Sequence, residues 1–162
     1  MAAGRTHDLI NLSVLPVAVY YLQPDSPLGF IGGYFIGTFF LSPDNDIFHS
    51  KPNKRWKTFR FLWYPYTKLF SHRGISHIPV LGMLTKLLYL TVIFSIISAI
   101  ILIPIYFYRP DLFSQVDINP RIIKGYLLHP FTVSFFFGLI LSEIVHIITD
   151  IIYSAMKKLK VL

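Results

Sequence analysis

The feature that most constrains this chain is a run of 22 residues, Leu87 to Tyr108, without a charged side chain. A helix rises 1.5 Å per residue, so this run is about 33 Å long and can cross a hydrocarbon core of about 30 Å. The helix is predicted to begin earlier, near Ile78, which places Lys86 inside it. The chain is therefore predicted to contain a membrane-spanning helix.

Three more apolar runs complete the predicted fold. Pro130 to Tyr153 is also long enough to span, whereas Leu9 to Leu22 and Leu28 to Leu41 have only 14 residues each. A tight turn joins the two short runs into an antiparallel hairpin, which either crosses a thinned region or dips into the bilayer packed on the longer helices. We predict an all-α integral membrane bundle of about four helices, formed by residues 1–162 as a single domain.

Composition excludes several classes of protein. Apolar residues make up 54% of the chain, charged residues 14%, and the mean hydropathy is +0.57. Soluble domains carry about 25% charged residues, so a soluble globular or disordered chain is disfavoured. There is no cysteine, which excludes thiolate zinc sites, iron–sulfur clusters and cysteine nucleophiles. Any metal must be held by His, Asp or Glu.

The stretch from Ser42 to His77, between the second and third predicted helices, has a different character. Aromatic residues alternate with seven basic ones: Lys51, Lys54, Arg55, Lys57, Arg60, Lys68 and Arg73. This pattern suits the headgroup layer of a membrane, and it also suits single-stranded nucleic acid. Flanking membrane helices favour membrane lipids as the partner and disfavour nucleic acid.

Polar residues collect at one end of the predicted bundle. If four helices cross in sequence, the start of helices one and three and the end of helices two and four share one face. That face holds five of the six histidines and four aspartates: His7, His49, His72, His77, His146, Asp8, Asp44, Asp46 and Asp150. Eleven Lys or Arg residues lie on the same face and three on the other, which predicts that this face is cytoplasmic in a prokaryotic cell membrane. The oligomeric state stays open.

Two of these pairs have open interpretations. His146 and Asp150 are spaced i, i+4, so they project from one helix face and either grip an ion or hydrogen-bond to close the bundle. Asp44 and Asp46 follow a helix C-terminus and oppose its dipole, so they need a cation, either a metal or a basic side chain such as Arg73.

The remaining ionisable residues are assigned less strongly. His72 and His77 flank a glycine in a loop that leads into helix three. They are either metal ligands or exposed residues at the membrane interface. Asp8 is expected to complement the dipole of helix one, and His49 is a weaker candidate. Lys86 and Glu143 should lie at similar depth and are expected to pair; alternatively, Lys86 reaches a substrate phosphate or Glu143 a metal-bound water.

The chain resembles an uncharacterised family of membrane metal-binding proteins over nearly its whole length. The resemblance rests on Gly4-Arg5-Thr6-His7-Asp8, Leu41-Ser42-Pro43-Asp44-Asn45-Asp46, Arg55-Trp56, Phe61-Leu62-Trp63-Tyr64-Pro65-Tyr66, His72-Arg73 with Ser76-His77, and His146 with Asp150. That family is similar to the membrane-bound metal-dependent hydrolases and, more distantly, to the zinc-dependent phospholipase C and single-strand nuclease superfamily.

The resemblance implies a divalent-metal site within an all-helical bundle. Its implied ligands are His7, Asp44, His72, His77, His146 and Asp150, with Asp46 close by. The phospholipase C relatives use more ligands for three zinc ions, so one or two ions are expected here. A His and carboxylate ligand set suits zinc first, and manganese or iron as well.

The expected function is that of a membrane-bound, divalent-metal-dependent hydrolase of phosphoesters in a lipid or lipid-linked phosphate. Asp46 or Asp44 would accept a proton from the attacking water, and Arg73 or Lys86 would hold the phosphate charge. The alternative is a non-catalytic metal-binding membrane protein with a structural or transport role. Beyond Lys86 and Glu143 no charged residue lines the long helices, which disfavours transport.

Overall fold

The protein is helical throughout the residues that the computed structural model describes, 4–70, 74–113 and 119–159, and these contain no strand. The prediction of an all-α fold is confirmed. Seven α-helices occur in this part of the chain: α1 Gly4–Leu22, α2 Pro27–Phe39, α3 Lys51–Arg55, α4 Trp63–Leu69, α5 Leu81–Tyr108, α6 Pro120–Leu127 and α7 Pro130–Lys158. Single 3₁₀ segments lie at Pro43–Asp46, Lys57–Leu62, Ile75–His77 and Pro110–Leu112.

Helix α2 runs parallel to α7 in the closest helix contact of the described residues. A Cβ added to Gly33 would lie 1.9 Å from the Phe135 carbonyl oxygen, and one added to Gly138 would lie 2.1 Å from that of Phe30. The two backbones therefore touch, which only glycine allows. The sequence predicts close helix contact from four glycines of this helix, Gly29, Gly32, Gly33 and Gly37. The contact is confirmed at three of them, whereas a Cβ on Gly32 would meet another atom only at ordinary van der Waals distance.

Helix α1 lies across both of these helices. The Tyr34 hydroxyl of α2 donates a 3.0 Å hydrogen bond to Asn11 Oδ1 of α1, beside a buried apolar cluster that includes Leu15. Helix α1 has 19 residues and begins at Gly4, whereas its predicted apolar run began at Leu9. The polar first turn is helical because its side chains pack at the polar end of the molecule, where His7 is buried.

Helix α5 joins the other helices only through its first turns. It begins at Leu81, after Pro79, and its buried residues are Gly82, Met83 and Lys86. The predicted bundle of four is therefore not confirmed, because α1, α2 and α7 pack together while α5 leaves them. A helix that is apolar all round has no preferred packing face, and apolar surface alone drives little helix association in lipid.

The basic and aromatic segment is folded against the start of α5. Trp63 and Tyr66 of α4 are fully buried, and the Tyr66 hydroxyl lies 3.0 Å from Thr85 Oγ1. On the other side, Asn53 of α3 hydrogen-bonds to the Asn45 carbonyl at 3.0 Å and holds the Pro43–Asp46 turn in place. The segment thus connects the end of α2 to the start of α5.

Helix α7 begins at Pro130 as predicted but continues to Lys158, one turn beyond the predicted end at Tyr153. The His129 side chain caps it by accepting a 3.2 Å hydrogen bond from the Phe131 amide. Helices α5 and α7 are the two in the described residues that are long and apolar enough, by length and composition, to cross a membrane. Helix α6 was not expected from the sequence.

Candidate metal centre

Three separate segments deliver His and Asp side chains to one end of the molecule. Asp44 comes from the 3₁₀ turn after α2, His77 from the turn before α5, and His146 and Asp150 from consecutive turns of α7. Each contributes one donor atom, and these four atoms lie within 4.8 Å of one another. The spacing i, i+4 explains why both α7 residues face the same centre.

The distances fit a divalent cation. Asp44 Oδ1 lies 3.6 Å from His146 Nε2 and 3.9 Å from His77 Nε2. Donors of a four-coordinate zinc ion are about 3.3–3.5 Å apart, because each lies about 2.0–2.2 Å from the metal. Asp44 Oδ1 and His146 Nε2 are buried and have no hydrogen-bond partner among the described residues. Buried polar atoms of this kind need a ligand, so the donor set fits a metal ion.

The carboxyl group of Asp44 stays ionised at this site. Burial raises its pKa, but His146 and then His7 lower it, and the net effect is a pKa below the usual value for aspartate. An ionised carboxylate is the form that coordinates a metal.

A second layer of polar groups orients the histidines. Ser42 Oγ lies 3.4 Å from Nδ1 of His146, and Asp46 Oδ2 lies 3.4 Å from Nδ1 of His77. Ser76 donates a 2.5 Å hydrogen bond to the same Asp46 oxygen. A carboxylate or hydroxyl behind each imidazole fixes which ring nitrogen faces a metal. Sequence reasoning did not single out the two serines, although each lies within two residues of an assigned ligand.

His7 reaches the site in a different way from the four donors. Its ring stacks on that of His146, with centroids 3.8 Å apart and planes 12° from parallel. Its Nε2 lies 3.2 Å from Asp150 Oδ1, and its Nδ1 is buried without a hydrogen-bond partner in the described part of the chain. His7 thus contacts the cluster through both His146 and Asp150.

Other predicted residues fall elsewhere. His72 and Arg73 lie outside the described residues. His49 is exposed and lies 2.9 Å from Arg60, away from the cluster. Asp8 forms ion pairs with Lys51 and Arg55 of α3, the latter at 2.6 Å, in addition to the role at the dipole of helix one that the sequence predicts.

The expected pairing of Lys86 with Glu143 is confirmed. The Lys86 ammonium lies 2.7 Å from Glu143 Oε1, and both side chains are fully buried. The other carboxylate oxygen of Glu143 accepts a 3.1 Å hydrogen bond from the Met83 amide. The pair therefore fastens the start of α5 to α7 below the cluster.

A cleft of about 460 Å³ adjoins the cluster along the last turns of α7. Its lining includes two of the four donors and one lysine: His77, Ile147, Asp150, Ile151, Ser154, Ala155 and Lys158. A ligand in this cleft could reach the metal centre from one side.

Comparison with known proteins agrees with a metal-binding role. A protein of Aquifex aeolicus (strain VF5), named "Uncharacterized protein", is 40% identical over 134 residues, which cover 78% of this chain and 90% of that protein. No solved structure matches the chain. The model of the family described as "Uncharacterized metal-binding protein (DUF2227)" matches residues 2–160, which confirms the metal-binding part of the resemblance. The chain belongs to this family of uncharacterized metal-binding proteins.

Proposed function

We propose that this protein is a membrane-bound hydrolase that uses a divalent metal ion to cleave phosphoester bonds in a lipid or lipid-linked phosphate. The observation that carries the proposal is the cluster of two histidines and two aspartates that opens into a cleft. His77 and Asp150 belong to both the cluster and the cleft lining. A metal site that is open on one side is the arrangement of catalytic rather than purely structural centres.

The residues divide the chemistry between them. A divalent ion held by these residues would supply the activation of a water molecule and the polarisation of a phosphoryl oxygen. Asp44, whose side chain is 14% exposed, would accept the proton that the attacking water loses. Asp46 has a fully buried side chain and contacts His77, so it serves as a positioning residue. Zinc suits the donor set best, with manganese or iron as alternatives.

Membrane association rests on the surface of α5. No residue between Leu87 and Tyr108 is buried, and nearly all are aliphatic or aromatic. A helix in the core of a soluble protein would be mostly buried, because exposed apolar area of this extent is strongly unfavourable in water. A bilayer accommodates such a helix without a protein partner. The predicted cytoplasmic side of the metal centre remains part of the proposal.

The test combines metal analysis with an activity panel. Protein purified in detergent is expected to contain one or two divalent ions per chain. It should hydrolyse a phosphomonoester or phosphodiester lipid, lose activity with a chelator and regain it with zinc, manganese or iron. Asp44→Asn should abolish turnover, whereas Asp25→Asn, an exposed residue in the turn between α1 and α2, should not. Activity that survives both the chelator and Asp44→Asn would refute the proposal.

A non-catalytic metal site is the second candidate. The four donors come from three segments that are distant in sequence, so an ion would tie the end of α2 and the start of α5 to α7. Stoichiometric metal with no turnover on the whole panel, together with a large fall in unfolding temperature on chelation, would favour this structural role.

A further inference from the structure

The cleft beside the metal centre extends along one face of α7. We define the α7 cleft by its lining residues Ile147, Ile151, Ala155 and Lys158, with His77 and Asp150 at its inner end. Asp150 and Lys158 are eight residues apart, which is about 12 Å along a helix. The cleft therefore joins the metal centre at one end to a lysine ammonium at the other, and its wall between them is apolar except for Ser154.

The depth of this cleft in the membrane can be estimated from the residues at the opposite end of the molecule. Tyr20, Tyr21 and Tyr126 are 72%, 77% and 72% exposed there, as in an aromatic belt at a membrane interface. The turn before α2 is level with the start of α7, because the Ser26 amide donates a 3.1 Å hydrogen bond to Ser134 Oγ. One end of α7 is thereby placed at the interface.

The length of α7 then places the cleft at the opposite interface. From Phe131, Asp150 is 19 residues away, about 28 Å, and Lys158 is 27 residues away, about 40 Å. A bilayer has a hydrocarbon core of about 30 Å and a total thickness of about 40–45 Å. If Phe131 marks the near edge of the hydrocarbon, Asp150 lies at the far edge of the hydrocarbon, and Lys158 lies at the outer side of the headgroup layer beyond it.

We propose that the α7 cleft binds one lipid whose phosphate headgroup lies between Lys158 and the metal centre, and whose acyl part follows the apolar wall. This inference rests on the proposed function and narrows its substrate class. Ile151 is 63% exposed and Ile152, next to it on α7, is 54% exposed, so the wall continues onto the apolar outer surface of the helix. A water-soluble phosphate ester has no apolar chain that could pack against this wall.

Binding to metal-free protein tests the inference independently of catalysis. The chain has no cysteine, so Leu159→Cys, at an exposed position next in sequence to Lys158, can carry a single environment-sensitive fluorophore. The chelator-treated protein in micelles would be titrated with dioleoyl phosphatidate, with dioleoylglycerol and with glycerol 3-phosphate. Phosphatidate should give a saturable change, and the two partial molecules should bind at least tenfold more weakly.

Two lysines provide a matched comparison. Lys158→Gln should raise the dissociation constant for phosphatidate about fivefold, the contribution of one lysine near an anionic headgroup. Lys157→Gln removes the same charge one residue away, at a position that does not line the cleft, and should change it less than twofold. Ala155→Phe fills the cleft and should abolish binding while leaving both lysines in place.

The outcomes separate this inference from the proposed function. Equal effects of the two lysine substitutions, unchanged binding by Ala155→Phe, or glycerol 3-phosphate that binds as tightly as phosphatidate would each overturn it. If phosphatidate binding depends on Lys158 and not on Lys157, but no substrate is turned over, the inference is supported and the hydrolase proposal fails. Metal-dependent hydrolysis of soluble phosphoesters, without phosphatidate binding, would support the hydrolase and overturn the inference.

Discussion

Two adjacent glycines of α2 allow a controlled test of how closely α2 and α7 pack. A Cβ on Gly33 would lie 1.9 Å from the carbonyl oxygen of Phe135, whereas a Cβ on Gly32 would meet only a side-chain carbon of that residue at 3.9 Å. Gly33→Ala therefore forces two backbones apart, and Gly32→Ala does not. The two variants are otherwise matched in helix, neighbours and chemistry.

The magnitude follows from the difference between the two variants. Alanine is favoured over glycine within a helix by about 0.8–1.0 kcal/mol, and this gain is common to both substitutions, so it cancels. Real Cβ atoms do not come within 3.0 Å of another heavy atom, so α2 must move about 1 Å away from α7 in Gly33→Ala. Overpacking of this kind costs about 1–3 kcal/mol. The Gly33→Ala variant should therefore be less stable than the Gly32→Ala variant by about 1–3 kcal/mol.

The same displacement should reach the metal centre. Asp44 lies five residues after the end of α2 and 3.6 Å from His146 of α7, so moving the two helices apart should separate the two donors. We expect metal affinity to fall about 10–100-fold in Gly33→Ala, a loss typical of disturbed ligand positioning.

Thermal unfolding in detergent and competition titration with a chromophoric chelator measure the two effects. Equal unfolding temperatures and equal metal affinities in Gly32→Ala and Gly33→Ala would refute the close backbone contact. A loss of stability in Gly33→Ala without a loss of metal affinity would refute the coupling of this contact to the site.

Three further predictions concern the centre, the buried pair and the topology. His77→Ala should remove most bound metal, by more than the 10–100-fold that outer contacts contribute, and full occupancy at micromolar metal would contradict its role as a ligand. Lys86→Met or Glu143→Gln alone should lower the unfolding temperature, because one charge stays buried, and the double variant should recover much of the loss; additive losses would contradict the coupling. In membrane vesicles, an impermeant thiol reagent should label Thr58→Cys from the cytoplasmic side and Gly125→Cys from the other, and the reverse pattern would contradict the proposed orientation.

Helix ends were predicted well where proline or charge marks them. Tyr108 ends α5 next to Arg109 and Pro110, and Pro130 begins α7, as expected from the sequence. Because the ends of the helices could be predicted and successive helices were expected to alternate in direction, four segments distant in sequence could also be expected to meet at one face of the bundle. The structure brings Asp44, His77 and His146 together in this way, although α5 does not pack along the other helices.

The splayed position of α5 could not be predicted, because the sequence of α5 has no periodicity that marks a packing face. In α2 the glycines recur every four residues and mark the side that meets α7. In α5, residues beyond Lys86 are apolar on every side, and only Gly82 allows a close approach, to the Ser76 carbonyl. Hydropathy shows that α5 is long enough to span a membrane, but hydropathy gives no information about which elements pack against this helix.

The roles of Asp44 and Asp46 were left open by the sequence, and the geometry of the turn that holds them separates the two residues. Both lie in a 3₁₀ segment, where successive residues are rotated by about 120°, so residues two apart point in different directions. Asp44 Oδ1 faces His146 Nε2, whereas Asp46 Oδ2 faces the Ser76 hydroxyl and Nδ1 of His77, the ring nitrogen that points away from the cluster. Spacing alone suggested two equivalent carboxylates, whereas the tight turn directs Asp44 toward the cluster of donor atoms and Asp46 toward His77, which it supports.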